Sequence, residues 1–144
     1  MLRKPLKEIN GRLYVFDQVR KKYLLFTPEE EVRQGMLDLL IHTLHYPKGL
    51  LSVESGLKYN TRQKRTDIVV FDSDGRPYMV VECKRKEERL GKEELFQLSV
   101  YNNTLRAEIL ILTNGIDLLC MKVDREANKL VPLMEIPPYS TGAT

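Results

Sequence analysis

Residues 66–84 read TDIVVFDSDGRPYMVVECK, and this stretch decides the fold. Two apolar runs flank Asp72-Ser73-Asp74-Gly75, a tight-turn sequence that lets them pair as strands. Side chains alternate across a strand, so Glu82 and Lys84 share one face while Cys83 points to the other. Asp67 opens the first strand, and pairing about the turn brings it close to Glu82 and Lys84. Two acids and a lysine at a strand end make a candidate divalent-metal site.

The chemistry suits these residue types. Mg²⁺ is a hard cation that takes carboxylate, water and phosphate oxygens. Held by Asp67 and Glu82, it could polarise a scissile phosphate and lower the pKa of an attacking water. Lys84 could position that water or offset charge that builds up in the transition state. Glu-x-Lys is also a common tripeptide, and an exposed strand end often carries such a pair for solubility alone. On this reading, a metal-site acid serves function rather than packing, so Asp67→Ala should spare stability.

Composition sets the frame. The 144 residues are 42% hydrophobic and 30% charged, the profile of a soluble domain with one core. No apolar run has the length of a membrane span and no signal peptide opens the chain, so a cytoplasmic protein is expected. Cys83 and Cys120 both fall in expected strands and read as reduced core residues. The formal charge of +3 is modest, but its distribution is uneven. Arg62, Lys64 and Arg65 precede the first strand of the hairpin, and Lys84, Arg85, Lys86 and Arg89 follow the second. A phosphate backbone would favour cations at both ends of the site, although Glu87 and Glu88 partly cancel the second group.

Outward from the hairpin, apolar spacing gives the remaining elements. Leu13–Phe16 and Tyr23–Phe26 read as short strands of a hairpin. Thr27 and Pro28 start a helix that runs to about His45, with Glu30 placed for a capping box. A strand over 50–57, a helix over 88–105, and strands over 108–113, 116–123 and 130–134 complete the order. A domain over 1–136 with its core at about 20–123 is expected, and 137–144 should be a flexible tail. The sum is an α/β chain with a mixed β-sheet packed by two main helices. His42 and His45 stand three apart on the first helix, a spacing that can bind metal, but no Cys or acid accompanies them at the right spacing.

The order of these elements resembles the restriction-endonuclease-like PD-(D/E)XK nuclease fold. Thr27-Pro28-Glu29-Glu30-Glu31-Val32-Arg33-Gln34 resembles the first-helix motif of the N-terminal nuclease domain of type I restriction enzyme R subunits. Asp67 with Glu82-Cys83-Lys84 resembles its metal-binding core, and Gln97-Leu98-Ser99-Val100-Tyr101 its Gln-x-x-x-Tyr motif. The resemblance covers roughly residues 20–123.

It implies a metal-dependent DNA endonuclease, with Mg²⁺ (or Mn²⁺ as substitute) on Asp67 and Glu82, and Lys84 beside the attacking water. A first-helix acid would complete the site; Glu29 is the first candidate, with Glu30 in reserve. Three glutamates in a first turn also stabilise the helix dipole whatever the protein does. Gln97 and Tyr101, four apart on one helix face, would support DNA binding or the active site. Without the resemblance, Tyr101 reads as a core aromatic with its hydroxyl near the surface. The implied partners are DNA and a translocase ATPase or other restriction-system subunits. A non-catalytic nucleic-acid-binding or protein-interaction module on the same fold is the alternative.

Overall fold

A computed structural model describes residues 5–53 and 67–140 of the chain. Three strands form a small antiparallel sheet: β1 (Leu6–Ile9), β2 (Arg12–Asp17) and β3 (Lys22–Leu25). Strand β1 adds to the hairpin expected from sequence. Its signal was Asn10-Gly11, where φ of 53° and 80° builds the left-handed turn that such a dipeptide favours.

Helix α1 (Pro28–Asp38) begins as expected at Thr27, whose hydroxyl accepts the Glu30 amide at 3.1 Å. The capping box is not completed, because the Thr27 amide donates to Leu25 O and the Glu30 carboxylate turns inward. The helix continues as one π-helical stretch over Leu39–Thr43, and His45 ends it with φ of 67°.

Among the described residues the second sheet has six strands: β4 (Leu51–Val53), β5 (Ile68–Phe71), β6 (Pro77–Cys83), β7 (Ile109–Thr113), β8 (Leu118–Asp124) and β9 (Lys129–Pro132). These strands lie side by side in chain order, and among them β6–β7 is the parallel pair. Helix α2 (Lys92–Leu105) makes that crossover. Parallel neighbours need such a connection, since a tight turn can join only antiparallel strands.

Helices on opposite faces explain why the central strands are apolar throughout. Ile68, Val70, Met79, Val81, Ile109 and Ile111 cluster with Val32, Met36, Leu37 and Leu40 of the first helical segment. Val80, Leu110 and Leu112 point the other way and pack with Leu98 of α2. This is the α/β mixed sheet flanked by two main helices that the sequence led us to expect.

Several boundaries differ. Lys48–Leu50 is a 3-10 turn, and only Leu51–Val53 of the expected 50–57 strand is described. Helix α2 starts at Lys92 rather than at residue 88, because Glu88 closes a turn with Arg85 and its carbonyl accepts from the Asn114 side chain. Beyond the strands, the segment expected to be loose is fastened as far as Tyr139. Tyr46 Oη donates to Pro137 O at 2.6 Å, the Tyr139 amide donates to Leu44 O at 2.9 Å, and the two tyrosine rings meet edge to face. Arg62, Lys64 and Arg65 lie outside the described residues.

Candidate active site

The Asp72 turn sets the site's geometry. The Asp72 carboxylate accepts the Asp74 and Arg76 amides, each at 2.9 Å, and Gly75 takes φ of 82°. Pairing then runs antiparallel to Ile68 opposite Val81. Asp67 stands one residue before its strand and Glu82 one residue beyond Val81, so the two acids meet at one end of the hairpin. Lys84 follows, its ammonium 3.0 Å from the Glu82 carboxylate. Asp67, Glu82 and Lys84 thus lie at the same end of the hairpin.

Asp67 is buried at 6% exposure and held from two sides. The Cys83 amide donates to its Oδ2 at 2.6 Å, and Arg33 donates to its Oδ1 through Nε at 3.1 Å and through Nη2. Burial is the largest influence on Asp67 and pushes its pKa up, against Arg33 and the Cys83 amide; the Glu82 charge adds to the rise. Arg33 is itself buried, which would lower its pKa, but Asp67 and Glu30 overcome that and raise it. Arg33 thus stays a cation. Asp67 is bonded into the fold as well as being a site candidate, so Asp67→Ala should cost stability, against the expectation from sequence that it spares it.

Arg33 leads to the first-helix acid. Its Nη1 donates to Glu30, and Glu30 also accepts from Gln34 at 2.8 Å and from Arg20 at 3.2 Å. Asp17, fully buried at the end of β2, accepts from Arg20 Nη2 at 2.8 Å and Gln34 at 2.9 Å. The chain of contacts ties the small sheet to α1 and α1 to Asp67. The inward acid is Glu30, the reserve candidate. Glu29 is half-buried and makes no side-chain hydrogen bond or ion pair among the described residues.

Burial would lower the Lys84 pKa, but Glu82, Glu88 and Glu94 together raise it, so Lys84 is a fixed cation facing the start of α2. Gln97 is exposed one turn beyond Glu94, and Tyr101 is half-buried one turn further. The second basic group is partly paired on the surface, with Arg85 at 3.4 Å from Glu88 and Lys86 at 3.4 Å from Glu31 of α1. His42 shares a contact with Gln18 at 3.1 Å, and His45 is exposed past the helix end. Cys83 and Cys120 are buried free thiols, and burial pushes both up in pKa.

The donor set decides whether a hard divalent cation suits this hairpin end. Asp67 and Glu82 supply oxygen ligands of the right type, and their mutual repulsion is what a cation would relieve. In the arrangement described, however, Arg33 supplies the positive charge at Asp67. Among the described residues no three His, Cys, Asp or Glu side chains are grouped for a metal. The donor chemistry fits; a cation would have to share Asp67 with Arg33.

The model of the family described as type I restriction enzyme R protein N terminus matches residues 28–137. That range holds Glu30, Arg33, Asp67, Glu82 and Lys84. The comparison with curated proteins finds no match. Among solved structures, the chain is similar to a fragment described as an HsdR subunit of a type I restriction enzyme from Vibrio vulnificus YJ016. Identity is 24%, the TM-score is 0.41, and the match covers 61% of this chain and 16% of that one.

Proposed function

The chain belongs to the family of type I restriction enzyme R protein N termini, and from that membership we propose that it is a metal-dependent endonuclease domain hydrolysing DNA phosphodiester bonds. The observation that carries the reading is the meeting of Asp67, Glu82 and Lys84 at one end of the β5–β6 hairpin.

Asp67 and Glu82 would hold Mg²⁺ or Mn²⁺, which when bound supplies Lewis-acid polarisation of the scissile phosphate and a more acidic attacking water. Lys84, charged and tethered to Glu82, offers its ammonium to the phosphate oxygens as negative charge develops there. Arg33 fixes the rotamer of Asp67 and keeps the metal-free carboxylate from standing uncompensated. Glu30 supports Arg33 from behind, and we assign it rather than Glu29 as the helix acid of the site. Gln97 and Tyr101 would support DNA binding or the active site from α2. The partners proposed are DNA and the ATP-driven subunits or domains of a restriction system in the cytoplasm.

A second reading has an observation of its own. Arg33 at Asp67 can stand in for a metal ion, so the same fold could serve as a non-catalytic DNA-binding or protein-interaction module. Plasmid nicking in Mg²⁺, with EDTA as control, separates the two. The nuclease reading expects nicking by wild type and none by Glu82→Gln at unchanged fold. Equal nicking by both proteins would mark a contaminant and reject the reading.

A further inference from the structure

The small N-terminal sheet has two unlike faces. Val15 and Asp17 look inward, fully buried, and Asp17 is bonded into the Arg20 and Gln34 contacts of the site network. Strand register puts Lys7, Tyr14 and Leu25 in one row of the opposite face, with Phe16 and Tyr23 in the next row. Arg12 stands two before Tyr14 and so shares that face. Tyr23 and Leu25 are each 40% exposed, and Tyr14 and Phe16 are half-buried. The Phe16 and Tyr23 rings meet edge to face at 5.3 Å, and Lys7 Nζ lies 4.9 Å over the Tyr23 ring.

Cross-strand aromatic pairs stabilise a sheet, and that accounts for Phe16 against Tyr23. It does not account for a Tyr23 ring left 40% exposed under the Lys7 ammonium, on a face that also carries Arg12. Glu8 lies with Leu13 on the other face of the sheet, so none of the described strand residues on the aromatic face is acidic. An aromatic face whose described strand residues carry positive charge and no acid is complementary to a polyanion whose bases are free to stack. A duplex keeps its bases stacked on one another; a single strand does not.

We propose that the Tyr14, Phe16 and Tyr23 face of the N-terminal sheet is a stacking platform for single-stranded DNA, with Lys7 and Arg12 meeting its phosphates. A base arriving on Tyr23 displaces the Lys7 ammonium from the ring and leaves it beside the adjoining phosphate. The site is distinct from the β5–β6 hairpin end but joined to it by Asp17, Arg20, Glu30 and Arg33. A strand held here would lie on an element braced against α1. The choice of DNA rests on the nuclease reading; the stacking itself does not.

The test is fluorescence anisotropy of a fluorescein-labelled oligo(dT), in EDTA, with the full chain carrying Glu82→Gln so that nothing is cleaved. Tyr23→Leu should weaken binding about tenfold, as expected for losing one stacked base, while Tyr23→Phe should stay close to the parent. Lys7→Gln with Arg12→Gln should flatten the dependence of log affinity on log salt by about 0.7 per cation removed. These three positions are on the surface, and the charge pair reads the same face if Tyr23→Leu fails to fold. Unchanged affinity in Tyr23→Leu, or in the charge pair where Tyr23→Leu does not fold, overturns the proposal. So does a blunt duplex bound as tightly as the single strand. Absence of metal-dependent cleavage would defeat the nuclease reading and leave this binding result standing on its own.

Discussion

Arg33→Met keeps a long apolar stem and removes the guanidinium between Glu30 and Asp67. The two acids are not left equally exposed to the loss. Glu30 retains Arg20 and Gln34, whereas Asp67 retains the Cys83 amide. Both are buried, and removing one partner of a buried ion pair costs about 3–5 kcal/mol. Because Glu30 stays partnered, the lower end, about 3 kcal/mol, is expected. That is a large share of the roughly 5–15 kcal/mol by which domains are stable, yet it leaves a folded protein. Urea unfolding followed by far-UV circular dichroism measures the loss. Adding Asp67→Asn should restore part of it, because the amide leaves no buried charge behind, and the double-mutant cycle should show coupling. Mn²⁺ should raise the midpoint of Arg33→Met more than that of wild type, since the cation replaces the missing charge. A loss under about 1 kcal/mol, with additive single mutants, would refute the claim that Arg33 neutralises Asp67 in a buried setting.

Three further outcomes are expected. Lys84→Ala should lower the turnover of DNA cleavage more than DNA affinity; equal losses would reduce Lys84 to a phosphate contact. At Asp17, burial raises the pKa, but bonds from Arg20 and Gln34 bring it below the ordinary value. A folded pKa below the unfolded one gives stability that is present above about pH 4 and fades as pH falls through the folded pKa. The urea stability difference between wild type and Asp17→Asn should therefore shrink from pH 7 to pH 3, and a constant difference would contradict this. Gly115 holds φ of 90° with a Cβ position 3.3 Å from Val32 Cγ2, so Gly115→Ala should cost about 1–2 kcal/mol, and an unshifted melting temperature would count against it.

Local patterns made much of this molecule legible before its structure. The Asp72–Gly75 turn and the alternation on either side of it fix which end of the hairpin holds Asp67, Glu82 and Lys84. The apolar run 109–113 reads as a buried strand because both faces of β7 are covered, and Thr27-Pro28 marks a helix start by capping chemistry that acts within one turn. What stayed hidden depends on contacts between distant segments. Arg33 looks like an ordinary helix cation until residues 17, 20, 30, 34 and 67 are brought around it, and local pattern leaves Glu30 both a capping-box partner and a reserve site acid for the same reason. The π-helical stretch at 39–43 leaves helical spacing almost unchanged, so periodicity could not reveal it. Strand β1 had a local signal in Asn10-Gly11, but its residues are all exposed and show no core-facing alternation. The fastening of Tyr139 to Leu44 and Tyr46 is equally non-local, and a Pro-rich composition reads as loose without it.

The central claim is that Asp67 and Glu82 together hold a divalent cation. Isothermal calorimetry of Mn²⁺ into wild type and into Glu82→Gln, each with and without an oligonucleotide duplex, tests it most directly. Glu82 is half-buried and its replacement leaves Arg33 and Asp67 paired, so the comparison is not confounded by unfolding. The account predicts saturable binding to wild type that is lost in Glu82→Gln. Heat that is identical in the two proteins, or no binding by wild type even with DNA present, would contradict it.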